Sequence, residues 1–173
     1  MGHIIEFGGN TPSIPETVFV APTASIIGNA TFGDNSSAFY GVSVRADTET
    51  ITIGAGTNLQ DNVVVHADPG FPASVGDRVS VGHSAVVHGC TIGNDCLIGM
   101  SATIMNGATI GEGSLVAAGA VVLEGMQVPP HSLVAGVPAK VRRELNEDEL
   151  QGVRDNASRY QELAALHRVA FTS

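Results

Sequence analysis

Thr91-Ile92-Gly93-Asn94-Asp95-Cys96-Leu97-Ile98-Gly99-Met100-Ser101-Ala102-Thr103-Ile104 decides the fold, because its isoleucines Ile92, Ile98 and Ile104 recur at every sixth place. Six is neither the 3.6 of a helix nor the two of an alternating strand; it marks a short strand and a tight corner, repeated. The column runs upstream through Val20, Ile26, Phe32, Ala38 and Val44, then Ile53, Leu59 and Val65, then Val75 and Val81. Downstream it continues through Ile110, Val116, Val122 and Val128. A small residue such as Ala24, Ser36, Thr57, Ala85, Cys96, Ala102 or Ala120 sits four places after many of them, where a corner has no room for a branched chain. Each aliphatic side chain points into a triangular prism and stacks on its counterpart one turn away, about 4.8 Å along the axis. A β-sandwich would show longer alternating strands and hairpin turns. The expected class is therefore an all-β solenoid, a parallel β-helix of hexapeptide repeats.

Three segments follow. Residues 1–19, with Gly8, Gly9, Pro12 and Pro15, read as a lead-in loop over the first coil. Residues 20–132 form the β-helix. Residues 133–173 hold an extended connector and a helix, which starts at the capping-box pair Asn146 and Glu149. Leu150, Val153, Ala157, Tyr160 and Ala164 share one face of that helix, which predicts packing along the prism. From about residue 147 to 170 it would be roughly 36 Å long, near the roughly 29 Å rise of six coils.

A chain of 173 residues that is 43% hydrophobic can bury one such core. The formal charge of -9 excludes the basic surface that nucleic acid requires. Cys90 and Cys96 lie six apart, on different faces, so free thiols and a reducing compartment are expected. The N-terminus has no signal-peptide pattern and no window is apolar enough for a membrane span, which makes cytoplasmic the expected location.

The column is interrupted where polar chemistry gathers. The step from Val44 to Ile53 is nine and carries Arg45, Asp47 and Glu49; that from Val65 to Val75 is ten and carries His66 and Asp68. The step from Val81 to Ile92 is eleven, one short of two hexads, and carries His83 and His88. His66 and His88 each follow the inward valine, so they point outward and stack one rung apart, able to grip one ion. His83 falls near a corner, where it could reach that ion across an interface with a neighbouring copy; a triangular prism suits three-fold assembly. Three neutral imidazoles suit Zn²⁺, with Fe²⁺ or Co²⁺ as rivals, and leave a coordination position for water. Such water has its pKa lowered to about 7. Gln60 and Asp61 lie one coil-face before His66, and Gln60 also points outward.

Val44-Arg45-Ala46-Asp47, Gln60-Asp61-Asn62 with His66, and Gly82-His83-Ser84-Ala85-Val86-Val87-His88-Gly89-Cys90 together resemble the gamma-class carbonic anhydrase family. The tail Gly136-Val137-Pro138-Ala139-Lys140 before a charged helix is similar to its shorter bacterial branch. The resemblance implies a left-handed β-helix, a homotrimer, and reversible hydration of carbon dioxide to bicarbonate. It implies a metal between subunits, held by His66 and His88 of one chain and His83 of the next. Arg45 would pair across the interface with Asp61, Gln60 would hydrogen-bond the metal-bound hydroxide, and Asp47 would be a further interface carboxylate. Asn156 and Tyr160 on the tail helix resemble active-site polar residues. The family's long acidic loop with a shuttle glutamate is replaced by Ala67-Asp68-Pro69-Gly70-Phe71-Pro72-Ala73-Ser74, leaving Glu49 or Asp68 as substitutes. The alternatives on the same fold are a hexapeptide acyltransferase, a coenzyme A thioesterase, or a catalytically weak metal-stabilised scaffold.

Overall fold

The hexad column turns into three flat faces because each aliphatic residue finds its partner one turn away in parallel register. In the computed structural model, which describes residues 2–170, the first face stacks Ile4, Ile26, Val44, Val65, Val87 and Ile104. The second stacks Phe32, Ile53, Val75, Ile92, Ile110 and Val128. The third stacks Val20, Ala38, Leu59, Val81, Ile98, Val116 and Val134. The result is a parallel β-solenoid of about seven turns. Nearly all of this column is fully buried, and each rung's backbone N–H groups find carbonyls on the next rung, as in Gly93 to Ile110 and Gly99 to Val116. The core is thus one continuous aliphatic stack, with the backbone satisfied between turns.

Every irregular step falls on a single edge. Steps from the second face to the third and from the third to the first are all hexads, whereas the edge between the first and second faces holds the nine-residue step Val44–Ile53 and the ten-residue step Val65–Val75. The shortfall in the Val81–Ile92 stretch also lies there, between Val87 and Ile92. Strand Ser43–Ile53 rounds that edge without a break, and its pairing with Ser25–Phe32 shifts register between Gly28 and Ala30. Insertions are tolerated at a corner because they bulge into solvent without moving any inward residue off its column.

Both ends add to the stack. The lead-in is more than a loop: His3–Ile5 forms a strand parallel to Ser25–Ile27, and Ser13 bridges to Thr31. Pairing in this way covers a solenoid edge that would otherwise present open N–H and C=O groups. At the other end Ser132–Ala135 continues the third face, then turns back as Lys140–Glu144, antiparallel to it, where the sequence suggests only an extended connector. The antiparallel strand closes that edge in the same sense.

The C-terminal helix, Glu147–Ala170, packs on the third face through the buried residues Val153, Ala157 and Ala164. Its start is the expected capping box: Glu149 N–H donates to Asn146 Oδ1 at 2.9 Å and Asn146 N–H donates to a Glu149 carboxylate oxygen at 2.9 Å. It runs back along the prism, so that near its end the Tyr40 hydroxyl meets His167 Nδ1 at 2.8 Å and Phe19 and Phe39 flank the imidazole. Cys90 and Cys96 are buried and unbridged; burial pushes both thiols up to about 12, where they stay protonated.

Candidate metal centre

Parallel register places Arg45, His66 and His88 in one outward column on the first face, Arg45 opposite His66 and His66 opposite His88. The two imidazoles converge: His66 Nδ1 lies 2.9 Å from His88 Nε2, with ring centroids 5.0 Å apart. The corner insertions supply what surrounds them. His66 Nε2 is 3.1 Å from Asp47 Oδ1, and Asp47 in turn takes a hydrogen bond from Arg45 Nη1. Burial works to raise the Asp47 carboxyl, but hydrogen bonds from Arg45 and His66 outweigh it and hold the group below the usual carboxylate range. On the other side His88 Nδ1 is 2.8 Å from Asn106 Oδ1, and Asn106 Nδ2 donates to Asp68 Oδ2 at 2.9 Å. Asp68 Oδ1 stands 3.9 Å from His88 Nε2, so a carboxylate oxygen of Asp68 joins His66 and His88 in a cluster whose candidate ligand atoms lie within 4.8 Å of one another. Glu49, one of the suggested shuttle groups, instead accepts from Gly70 N–H at 3.2 Å and pins the loop that carries Asp68.

The other candidates gather on the opposite edge of the same face, where the third face turns into the first. His83 follows Gly82 in a turn closed by Ala85 N–H to Gly82 C=O, with Ser84 at a φ of 60°. His83 Nδ1 is 3.0 Å from Asp61 Oδ2, and its Nε2 is 3.4 Å from the Tyr160 hydroxyl. Burial raises the Tyr160 phenol above its ordinary value, and the Asp61 charge adds to the effect. Gln60, only 6% exposed, is anchored by its Nε2 on Asn58 Oδ1 at 3.2 Å. Gln60, His83, Asn156 and Tyr160 line a cavity of about 380 Å³ walled by Leu97, Met100 and Leu115. Asn156 Oδ1 is buried and has no hydrogen-bond partner among the described residues. Within one chain the eight candidate residues therefore form two half-sites: Arg45, His66 and His88 at one edge, and Gln60, Asp61, His83, Asn156 and Tyr160 at the other. Arg45 bonds Asp47 and Asp61 bonds His83 within the chain.

The donor chemistry fits a metal ion. A carboxylate only accepts, so Asp47 fixes the proton of His66 on Nε2 and Asp61 fixes that of His83 on Nδ1. The Asn106 amide, donating to Asp68, can only accept from His88, which puts that proton on Nδ1. His66 Nδ1 and His88 Nε2 are then two lone pairs facing each other at 2.9 Å. They repel unless a proton or cation lies between them. Two nitrogens on a tetrahedral zinc stand about 3.3 Å apart, so opening by a few tenths of an ångström admits the ion. Sequence reading identifies the histidines but not Asn106. Its only signal is Gly89, where an added Cβ would fall 2.2 Å from Asn106 Oδ1.

A family model for bacterial transferase hexapeptide (six repeats) matches residues 89–124. The chain is 53% identical over 151 residues to a "Probable carbonic anhydrase" of Methanocaldococcus jannaschii, covering 87% of this chain and 95% of that protein. The chain belongs to the gamma-class carbonic anhydrase family. It is also 40% identical to mitochondrial gamma carbonic anhydrase 2 of Arabidopsis thaliana, over 91% of this chain but 59% of that longer relative. Among solved structures, a Bacillus cereus protein described as a candidate acetyltransferase superposes with a TM-score of 0.96 at 34% identity, covering 97% of this chain and 98% of its own. The family's members thus share this hexapeptide scaffold with proteins named for acyl transfer.

Proposed function

We propose that the protein reversibly hydrates carbon dioxide to bicarbonate at a metal shared between subunits of a homotrimer. The convergence of His66 Nδ1 and His88 Nε2, both bare and 2.9 Å apart, carries this reading, and family membership supports it. His66 and His88 of one chain and His83 of the next would hold the ion, taken as Zn²⁺ with Fe²⁺ or Co²⁺ as competitors. A metal held there would supply Lewis acidity, lowering the pKa of a coordinated water to about 7. The remaining tasks belong to this chain. Asp47 and Asp61 keep two imidazoles in the tautomer that offers a lone pair. Gln60, with its amino group tied to Asn58, offers Oε1 as an acceptor that orients the attacking water. Asn156 Oδ1, buried and unpartnered among the described residues, and the Tyr160 hydroxyl give the cavity one acceptor and one donor with which to position substrate.

Apolar side chains left open on the first face, Val64 at 40% exposure and Leu123 at 48%, suit burial against neighbouring copies. In that trimer Arg45 and Asp61, at opposite edges of one chain, would pair between chains. A reducing cytoplasm suits the two unbridged cysteines. The decisive experiment combines metal analysis with stopped-flow carbon dioxide hydration, using protein loaded with zinc or, anaerobically, with iron. Close to one ion per chain and a rate rising with pH through about 7 are expected. A fully metallated protein that hydrates no carbon dioxide at any pH overturns the reading. Acyl transfer is the second reading, favoured by the acetyltransferase-like structural relative and by a cavity of about 380 Å³, far larger than carbon dioxide. Turnover of acetyl coenzyme A by the metal-free protein would establish it.

A further inference from the structure

Asn106 sits in a regular hexad and belongs to neither half-site, yet the bare Nε2 of His88 depends on it. Its environment is built around its carboxamide. Oδ1 receives the Nδ1–H of His88 at 2.8 Å, while Nδ2 donates to Asp68 Oδ2 at 2.9 Å. The space it occupies exists only because the corner between Val87 and Ile92 is one residue short and carries Gly89 at a φ of 54°. A Cβ there would meet Asn106 Oδ1 at 2.2 Å and Phe71 Cβ at 2.9 Å. Phe71, two residues beyond Pro69, closes the Asp68 loop through its N–H to the Asp68 carbonyl at 2.9 Å.

The amide's orientation is determined by chemistry. Asp68 has no proton to give, so the NH₂ group must face it, and the carbonyl oxygen must face His88. An isolated neutral imidazole prefers its proton on Nε2, which is the nitrogen needed for an ion beside His66. Something must therefore hold the proton on Nδ1, and whereas Asp47 faces the protonated nitrogen of His66 and Asp61 that of His83, no carboxylate among the described residues bonds His88 Nδ1.

Resting on the metal reading above, the geometry points to Asn106 as a positioning residue that locks His88 in the Nδ1–H tautomer and ties the Asp68 loop to that ligand. Asp68 polarises the amide from behind, so Asn106 and Asp68 together do for His88 what Asp47 does for His66. The short corner loop then has a role beyond connection. Glu49 holds it at Gly70 and Asn106 holds it at Asp68, so its position is registered to the metal ligand.

The test has two arms. In metal-stripped full-length protein, long-range ¹H–¹⁵N correlation should show His88, assigned by its loss in His88→Gln, as the Nδ1–H tautomer. Asn106→Ala should shift it to Nε2–H. By chelator competition, Asn106→Ala should weaken zinc binding by about 10–100-fold, the usual cost of losing such a partner. The exchanged pair Asn106→Asp with Asp68→Asn restores an acceptor at His88 and a donor behind it, and should recover both the tautomer and most of the affinity. An Asn106→Ala protein that keeps the Nδ1–H tautomer overturns the inference. So does a loss of affinity that the exchanged pair fails to repair, which would mark mere packing. The tautomer arm needs no metal, so a wild-type protein that takes up no zinc, iron or cobalt yet shows the Asn106-dependent tautomer sinks the metal reading and leaves the assignment of Asn106 standing.

Discussion

Gln60 would serve the proposed chemistry without being a ligand. It is buried, its amino group is committed to Asn58, and Asn58 is itself held by Nδ2 on Ser80 Oγ at 2.9 Å. The chain of amides leaves Gln60 Oε1 a fixed acceptor at the cavity wall, with little freedom to reorganise. Gln60→Ala should therefore lower kcat/KM by roughly 10–100-fold, the range seen when a partner beyond the ligands is lost, while metal content stays unchanged. Equal losses of metal and rate would make Gln60 a structural prop of the site. Asn58 gives the control. Asn58→Ala frees the Gln60 amide without removing it, so its effect should be smaller than that of Gln60→Ala and in the same direction.

At the scale of elements, the C-terminal helix depends on its first turn. Arg143 pairs with both oxygens of Glu149 at 2.7 Å, and the Asn146 N–H adds a third hydrogen bond. The Arg143 pair first, and the Asn146 N–H second, hold the Glu149 carboxyl at about 2, below its ordinary 4.5. A depressed folded-state pKa means that the contribution is complete above about pH 4.5 and fades as pH falls toward 2. Wild-type stability should thus drop faster than that of Glu149→Gln through this window, followed by circular dichroism during acid titration; parallel curves would show that the cap carries no such linkage. Asn146→Ala removes the other half of the box and should cost about 1 kcal/mol at neutral pH. The helix was legible in the sequence because its cap and stripe are local. So was the solenoid, since each hexad repeats the same rule, and so was the stacking of His66 on His88, which needs only a count across one corner. What stayed hidden depends on neighbouring turns. Asn106 reads as an ordinary hexad residue until the shortened corner at Gly89 brings it beneath His88, and Ser132–Glu144 reads as a connector until the open edge of the last rung pairs it into a hairpin.

For the whole molecule, the separation of the candidates is the main constraint. His66 and His88 stand at one edge of the first face, and His83 with Gln60 and Tyr160 stands at the other, where Asp61 and Tyr160 already engage it. Among the described residues, the cluster of ligand groups that one chain assembles by itself, His66, His88 and Asp68, does not include His83. A closed three-fold ring in which each first face meets the next copy's edge would unite one half-site from each chain at all three interfaces. Complementation tests this directly. His66→Ala and His83→Ala homotrimers should each lack every complete site. In a random equal mixture, an interface is intact only when a chain carrying His66 and His88 meets a neighbour carrying His83, so about a quarter of the sites should return. Zinc content and hydration rate should recover together to that fraction after unfolding and co-refolding, and remain at the mutant level when the two trimers are mixed without dissociation. No recovery after co-refolding into verified mixed trimers would mean that the ligands are not shared, and a His83→Ala homotrimer that keeps its zinc would mean that each chain completes its centre with Asp68.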